Sequence, residues 1–361
     1  MKTLRLGEAK EAGVSPERTK RVMDLCASWV ADGSTPTLIA LVARRGIIFL
    51  YEAWGKLGPE PNSPSVLPDT IFGVASVSKP VTATAVMMLV ERGLIGINQP
   101  VQKYIPEFKG DGFENVTLRH LLTHTSGLPY GSDIFYDSDT PFADLERTGL
   151  RLSPGQEMRY SNVGYDVLGE IVARVSEQPF HEFTRQNIFV PLGMKDATFV
   201  HYGKTCERCI KPRPDTPFDW PDDVQGKTSP SSSLCATVMD MAIFGQAFLN
   251  NGTYGNCHLL SPATVAAMTR NQIPGIPREL FQGIAPAPTC GFGWKMISEF
   301  RVPCTPGLLS PQSYGHTGAS GAIFWVDPKF DLVGVLFCAF IGELWPMDLF
   351  IDSVMGSITD V

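Results

Sequence analysis

Residues 73–80 read GVASVSKP and lead directly into residues 81–91, VTATAVMMLVE, an apolar stretch with Gly93 just beyond its end. An apolar run of this length with a glycine stop predicts a helix that is buried on all sides. Ser76 and Lys79 stand three residues apart at its start, so both side chains face one way, with Cβ atoms roughly 5–6 Å apart. A serine beside a lysine at a helix start is a candidate nucleophile beside a base, and helix N–H groups face any anion that forms there.

The same pair also has a plainer explanation. Ser76 alone is a common type of helix cap, and Lys79 alone is a solvated charge. The pattern Ser-x-x-Lys occurs by chance in most long chains. A catalytic interpretation therefore requires further motifs elsewhere in the sequence.

The bulk composition is that of a globular protein. Of 361 residues, 43% are hydrophobic and 19% are charged. The formal net charge is −7 and lysine and arginine form no cluster, which argues against nucleic acid and membranes as partners. Residues 1–8 lack the apolar core of a signal peptide, and no apolar stretch is long enough to span a bilayer. We therefore expect a cytoplasmic protein with a small-molecule partner, and the oligomeric state stays open.

The cysteines and histidines give weak signals for metal binding. Cys206 and Cys209 have zinc or redox spacing, and Cys257 with the histidine after it is a candidate to complete a zinc set. His120 and His124 have ligand spacing but no third partner, which favours structural roles. We expect no metal, no cofactor and free thiols rather than a disulfide framework. The eight cysteines are Cys26, Cys206, Cys209, Cys235, Cys257, Cys290, Cys304 and Cys338.

The distribution of strand and helix signals predicts an α+β fold. Runs rich in β-formers lie at both ends of the chain, at residues 38–42, 47–54, 322–326 and 332–340. Helical patterns and long loops fill the middle. The economical arrangement is an α/β sandwich, in which an antiparallel sheet from both termini is flanked by helices and carries a mostly helical insertion. We expect one catalytic domain over residues 1–361, with a sheet subdomain of about 1–75 and 290–361 and a helical subdomain of about 95–285.

Two further motifs accompany the Ser-x-x-Lys pair. Residues 160–162 read YSN before a helical pattern, and residues 316–318 read HTG before a strand pattern. In order and separation, residues 76–79 and these two motifs resemble the three motifs of the serine β-lactamase and penicillin-binding-protein superfamily. Residues 120–128 and 191–194 resemble the same superfamily. Within it, the chain is similar to the class C β-lactamase-like branch, which includes family VIII carboxylesterases, D-aminopeptidases and polyketide acyltransferases.

The resemblance implies that Ser76 is the nucleophile and that Lys79 and Tyr160 handle its proton. Lys79 starts from a pKa of ~10.4, so a neutral amine at pH 7 requires a downward shift of more than ~3 units. Burial against an apolar helix shifts the pKa in that direction. Tyr160 starts near ~10 and is helped toward phenolate by a protonated lysine. Which of the two is the base stays open at the level of sequence.

The resemblance also implies a set of supporting residues. Asn162 is expected to bind Lys79 or the substrate, and the segment that begins with His316 is expected to edge the cleft. The N–H groups of Ser76 and Ala319 are expected to form the oxyanion hole. The supporting and substrate-binding residues are Asn162, His316, Thr317, Gly318 and Ala319.

The third motif bears on the substrate. Most β-lactamases have a lysine where this chain has His316, and histidine is mostly neutral near pH 7. That departure weakens the case for an anionic β-lactam and suits esters. A second departure is the serine run at residues 231–233, where relatives usually have a glycine-rich turn.

These observations lead to one main hypothesis and several alternatives. The main hypothesis is a serine carboxylesterase that acts on short or medium acyl esters. The alternatives are an acyltransferase of secondary metabolism that uses a thioester donor, a β-lactamase or D-amino peptidase, and a catalytically inactive binding protein. Tyr130 is the aromatic residue we expect at the cleft. The aromatic candidates for an acyl pocket are Phe49, Tyr130, Trp220, Phe292, Trp294 and Trp345.

Overall fold

The structure is a computed structural model that describes residues 2–131, 138–202, 206–211, 228–277, 289–296, 306–339 and 347–360. Trp220, Cys304 and Trp345 lie outside these ranges. Within them, no helix is both long and apolar enough to cross a membrane, and no three metal-binding side chains form a group.

The strands are β1 (Arg5–Leu6), β2 (Thr37–Arg44), β3 (Ile47–Gly55), β4 (Phe72–Gly73), β5 (Cys235–Ala236), β6 (Thr253–Tyr254), β7 (Cys257–His258), β8 (Tyr314–Thr317), β9 (Ile323–Asp327) and β10 (Leu332–Cys338). The α-helices are α1 (Pro16–Ala31), α2 (Ser78–Glu91), α3 (Leu118–Leu122), α4 (Pro141–Thr148), α5 (Asn162–Ser176), α6 (Phe180–Thr184), α7 (Val190–Leu192), α8 (Val238–Leu249), α9 (Pro262–Met268) and α10 (Met347–Met355). Short 3-10 turns lie at Ala75–Val77, Val101–Lys103, Phe113–Asn115 and Pro328–Phe330, and a π-turn lies at Arg185–Phe189.

The main sheet combines strands from both ends of the chain. Its order is β1-β3-β2-β10-β9-β8, and the neighbours pair antiparallel except for β1, which runs parallel to β3. The predicted α+β fold with a sheet from both termini is therefore confirmed. Edge strand β1 is the exception. Its two residues pair with the first two residues of β3, and the two strands run in the same direction.

The central strand β2 is buried along its whole length because helices cover both faces of the sheet. Leu38 and Val42 join one core with apolar residues of α1 and α10. Ile39 and Leu41 point to the opposite face, as the two-residue period of a strand requires, and join the larger core with α2, α5 and α8. This second core contains the helix that follows residues 73–80.

Helix α2 agrees with the predicted buried helix, but it begins later than Ser76. Residues 78–89 are all buried, as expected for an apolar run with no polar face. Ser76 lies in the 3-10 turn Ala75–Val77 that precedes the α-helix. The turn arises because Ala75 adopts a left-handed backbone with φ of 48°, a conformation that is uncommon for a residue with a side chain.

The expectation of free thiols is wrong for one pair of cysteines. Cys206 and Cys209 form a disulfide, and their Cα atoms are 5.4 Å apart, within the range that a disulfide requires. Both thiolates are thereby removed from any zinc set. Their loop is anchored because the amide of Ile71 donates to the carbonyl of Arg208 at 2.9 Å. Cys26, Cys235, Cys257, Cys290 and Cys338 are free thiols, as expected.

Candidate active site

Ser76 is positioned by the turn that precedes it and by the strand next to that turn. The amide of Val74 donates to the carbonyl of Leu234 at 2.9 Å. The hydroxyl of Ser78 donates to the carbonyl of Ala75 at 2.6 Å and accepts from the amide of Leu234 at 3.1 Å. These contacts fix the left-handed turn at Ala75, so the Ser76 side chain is presented at the start of α2.

Lys79 is fully buried and makes three polar contacts. Its Nζ lies 3.0 Å from Ser76 Oγ, 2.8 Å from Asn162 Oδ1 and 3.0 Å from the carbonyl oxygen of Ser231. The side chain has no solvent exposure. The three hydrogen-bonding directions of the amine are therefore occupied by Ser76, by Asn162 of α5 and by the carbonyl of Ser231 in the loop before β5.

Burial decides the protonation state of Lys79. Desolvation lowers the pKa of this amine well below its ordinary value of 10.5, and the nearby charge of Lys295 lowers it further. The charge of Asp166 opposes the shift. The amine is thus biased toward its neutral form, which can accept a proton from a hydroxyl 3.0 Å away.

Tyr160 is held against the site by His124, one of the two histidines with the spacing of metal ligands. The ring of His124 stacks on that of Tyr160 with centroids 4.3 Å apart. His124 Nδ1 accepts from the amide of Ser161 at 3.1 Å, and its carbonyl accepts from the amide of Arg159 at 2.7 Å. His124 therefore has a positioning role. His120 instead accepts from the amide of Thr117 in a helix cap, a structural role as expected.

The Tyr160 hydroxyl is kept protonated. Burial raises its pKa well above the ordinary value of 10, and a side-chain hydrogen bond with Ser76 opposes that shift. The face of its ring is approached by two amines, with Lys79 Nζ at 4.7 Å and Lys295 Nζ at 5.4 Å from the centroid. The neighbouring residue Ser161 caps α5 by accepting from the amide of Gly164 at 3.1 Å.

The motif at residues 316–318 closes the site from the sheet. His316 is buried, and desolvation lowers its pKa well below 6.5, with the charges of Lys295 and Lys79 adding to the effect. Its Nδ1 lies 2.8 Å from the carbonyl of Thr317, so Nδ1 carries the hydrogen in the neutral ring. A Cβ on Gly318 would lie 2.2 Å from the carbonyl oxygen of Val74. The strand end can approach the Ser76 turn only because residue 318 is glycine.

The structure therefore brings together the residues that the sequence singled out. Asn162 accepts from Lys79, and its amide donates to the carbonyl of Tyr130 at 3.0 Å. Tyr130 is 67% exposed and its ring centroid is 6.1 Å from that of Tyr160, which places it at the rim. Ala319 lies just beyond β8 and is exposed.

Of the remaining aromatic candidates, the three that the structure describes do not line the site. Phe292 and Trp294 are buried in the larger core. Phe49 packs against the core beside α1 and α10. Trp220 and Trp345 lie outside the described residues.

Comparison with known proteins decides the family. A family model described as Beta-lactamase matches residues 21–340. The chain belongs to the Beta-lactamase family. A relative from Salmonella schwarzengrund, provisionally named as a D-alanyl-D-alanine carboxypeptidase, is 29% identical over 344 residues. The match spans 82% of this chain and 77% of that protein.

Solved structures share the Beta-lactamase family fold. A penicillin-binding-protein homologue from Caulobacter crescentus aligns with a TM-score of 0.79 and 24% identity, over 95% of this chain and 98% of that chain. EstCE1, described as a hydrolase with promiscuous acyltransferase activity, aligns with a TM-score of 0.76 and 22% identity, over 95% of this chain and 98% of that one. At these identities the likeness concerns the fold. The family match makes the chain a member of a serine hydrolase superfamily.

Two charged residues of this Beta-lactamase-family site are absent from the sequence motifs. Lys295 lies beside β8, where its amide and carbonyl pair with Gly315 at 3.0 and 2.9 Å, and its Nζ lies 3.3 Å from Thr317 Oγ1. Asp166 lies on α5 and accepts from Ser231, whose carbonyl binds Lys79. Of the two, only Asp166 had a sequence signal, since an acid four residues after Asn162 lies on the same helix face.

Asp166→Asn is expected to change how stability depends on pH. Burial raises the pKa of Asp166 to about 6 from an ordinary value of 3.8. The folded protein then binds a proton that the unfolded chain has already released, so the stabilisation is complete below 3.8 and lost as the pH rises through about 6. Wild type should lose about 3 kcal/mol of unfolding free energy relative to the variant over this range. Urea unfolding of both proteins across the range measures the difference, and a constant difference would contradict the assignment.

Proposed function

We propose that this protein is a serine carboxylesterase that hydrolyses short or medium acyl esters through a covalent acyl-enzyme on Ser76. The observation that carries the proposal is the 3.0 Å contact between Lys79 Nζ and Ser76 Oγ, made by a lysine that is completely buried. Serine is a weak nucleophile until a neighbour takes its proton, and a desolvated amine is suited to that task.

In the first step, neutral Lys79 accepts the hydroxyl proton of Ser76 while Oγ attacks the ester carbonyl carbon. The carbonyl oxygen becomes an oxyanion, which the amides of Ser76 and Ala319 stabilise. Within the described parts of the chain, neither amide donates to another backbone group, so both are available. Each such donor contributes about 3 kcal/mol to the transition state.

In the second step, the Tyr160 hydroxyl gives its proton to the leaving alkoxide and regains one from Lys79. The ester C–O bond breaks, and the acyl group stays on Ser76 Oγ. Water then attacks the acyl-enzyme, and the acid is released as Ser76 recovers its proton. Tyr160 suits the relay because its raised pKa keeps the hydroxyl protonated until the alkoxide forms.

This proposal treats the whole chain as one catalytic domain. The sheet part, about residues 1–75 and 290–361, supplies His316 through β8. The helical part, about residues 95–285, supplies Tyr160 and Asn162 at the start of α5.

The charge state of His316 supports an ester substrate. A buried ring with a lowered pKa is neutral at physiological pH, so it presents a hydrogen-bonding atom and no cation. An uncharged ester meets no unpaired charge at this position. His316 thus differs from a fixed lysine at the same place, which would favour anionic substrates.

Lys295 favours a second candidate, the hydrolysis of substrates that carry a carboxylate near the scissile bond. Its Nζ lies 3.3 Å from Thr317 Oγ1. A threonine hydroxyl that accepts from lysine can still donate its own hydrogen, so the two groups together match a carboxylate. The carboxypeptidase name of the Salmonella relative points to the same substrate class.

Intact-mass measurement tests the acyl-enzyme directly. Wild type mixed with p-nitrophenyl butyrate and quenched early is expected to gain a single butyryl group, and Ser76→Ala is expected to gain none. Ser28→Ala is the matched control, since its hydroxyl lies on the exposed side of α1 and donates to the carbonyl of Leu25, so it should still form the adduct. Absence of both adduct and released p-nitrophenol in wild type would contradict the proposal. Product ester that outpaces hydrolysis when an alcohol is added would indicate acyl transfer instead.

Lys295→Met is expected to change the preference between charged and neutral esters. With p-nitrophenyl hemisuccinate and p-nitrophenyl butyrate as a matched pair, the ratio of kcat/KM values should fall roughly 10- to 100-fold in the variant, because one charge-assisted hydrogen bond is lost. Lys295→Arg should retain most of the ratio. Lys109→Met removes an exposed charge elsewhere and should leave the ratio unchanged. If Lys295→Met leaves the ratio of kcat/KM values unchanged, Lys295 does not select carboxylate-bearing substrates. The second candidate is then excluded, and the neutral-ester proposal stands alone.

A further inference from the structure

Asp166 is a buried acid that the proposed chemistry does not use. It lies one helical turn after Asn162 on α5 and is 3% exposed. Its Oδ1 accepts from Ser229 Oγ at 2.7 Å and from the amide of Ser231 at 3.2 Å. Its Oδ2 has no hydrogen-bond partner within the described residues. A half-satisfied carboxylate is costly to bury, so its presence indicates a role beyond packing.

The partners of Asp166 belong to the serine-rich turn at residues 229–233, which replaces the glycine-rich turn expected from the family resemblance. The hydroxyl of Ser229 also lies 2.7 Å from that of Ser231 and accepts from that of Ser232 at 3.2 Å. The amide of Ser229 donates to Ser233 Oγ at 2.9 Å. Asp166 accepts from the Ser229 hydroxyl at the centre of this network and from the amide of Ser231, so it holds the turn at two points.

The other side of the turn faces α2. The carbonyl of Ser231 accepts from Lys79 Nζ at 3.0 Å, and the carbonyl of Pro230 accepts from Thr82 Oγ1 at 2.6 Å. Pro230 also packs tightly on α5, since a Cβ at Gly169 would lie 2.0 Å from its Cγ. The turn is therefore clamped between two helices, and a single residue, Ser231, contacts Asp166 with its amide and Lys79 with its carbonyl.

Electrostatic interaction also links Asp166, on one side of the turn, to Lys79 on the other. The titratable groups that face Lys79 from the packed elements are Asp166 and Tyr165 of α5, Tyr160 before α5, His316 of β8, and Lys295 beside β8. Of these described groups, Asp166 alone carries negative charge at neutral pH. Burial raises the pKa of Asp166 to about 6, so the carboxylate is ionised above that pH. Its charge raises the pKa of Lys79, against the larger effect of desolvation.

We propose that Asp166 is a positioning residue that holds the serine turn so that the Ser231 carbonyl meets Lys79, and whose negative charge stabilises a proton on that amine. The role rests on the proposed function, in which Lys79 receives the Ser76 proton. Asp166 touches neither the nucleophile nor the substrate-facing surface, and acts on the reaction through Lys79.

The test is the pH profile of kcat/KM for p-nitrophenyl butyrate in wild type, Asp166→Asn and Asp166→Ala. The rate rises with pH as Lys79 loses its proton, so removing the opposing charge in Asp166→Asn should move this acid limb to lower pH. The asparagine keeps the Oδ1 acceptor and so keeps the turn. Asp166→Ala also removes the acceptor and should lose about 100-fold in kcat/KM at the plateau, as expected when a catalytic group is misplaced.

Asp240→Asn is the matched control. Asp240 is another buried acid, 3% exposed, which caps α8 by accepting from the amide and hydroxyl of Thr237 at 3.0 and 2.8 Å. Its replacement should leave the acid limb in place. If Asp166→Asn lowers the plateau of kcat/KM but leaves the acid limb at the same pH, Asp166 has only a structural role. If Asp240→Asn shifts the acid limb as far as Asp166→Asn does, the shift is a general effect of removing a buried acid. Either result would overturn the proposal.

A double-mutant cycle tests the same coupling without catalysis. Unfolding free energies of wild type, Lys79→Met, Asp166→Asn and the double variant should be non-additive, since the two side chains share Ser231. The cycle with Asp240→Asn in place of Asp166→Asn should be additive. If wild type hydrolyses no ester, the proposed function fails, while the cycle still decides the link between Asp166 and Lys79. Additivity in both cycles would refute that link.

Discussion

The structure of the site depends on one constraint, the complete burial of the Lys79 amine. An ammonium ion in such surroundings is costly, so the chain either pairs it or keeps it neutral. The contacts with Asn162 and with the carbonyl of Ser231 satisfy two hydrogen-bonding directions, and the third meets Ser76. The environment that removes water from the amine therefore also places the Ser76 hydroxyl 3.0 Å from it.

Three distant parts of the chain converge on the site around this amine, and each is held there by a different local contact. The edge strand approaches because Gly318 has no side chain to strike the Ser76 turn. The start of α5 is oriented by the stacking of His124 on Tyr160. The serine turn is fixed from behind by Asp166. The Beta-lactamase family fold supplies the framework, whereas these small contacts set the distances on which proton transfer depends.

The sequence could predict the parts of this site that follow from local spacing. The buried helix follows from an apolar run, and the Ser76–Lys79 pair follows from helical periodicity. The left-handed turn at Ala75 was not predictable, because alanine gives no local signal for it. Lys295 was missed because it reaches Thr317 only through strand pairing between segments about twenty residues apart. The role of Asp166 could not be predicted, because the serine turn that it contacts lies about sixty residues further along the chain.

The most direct test of this account is the titration of Lys79 itself. In protein labelled with carbon-13 and nitrogen-15 in its lysines, the ε-methylene signal of Lys79 can be assigned by its loss in Lys79→Met and followed across pH. We expect Lys79 to lose its proton at a distinctly lower pH than the exposed lysines do, because desolvation lowers this pKa well below 10.5. A signal that stays cationic up to about pH 10, the ordinary value for lysine, would contradict the account.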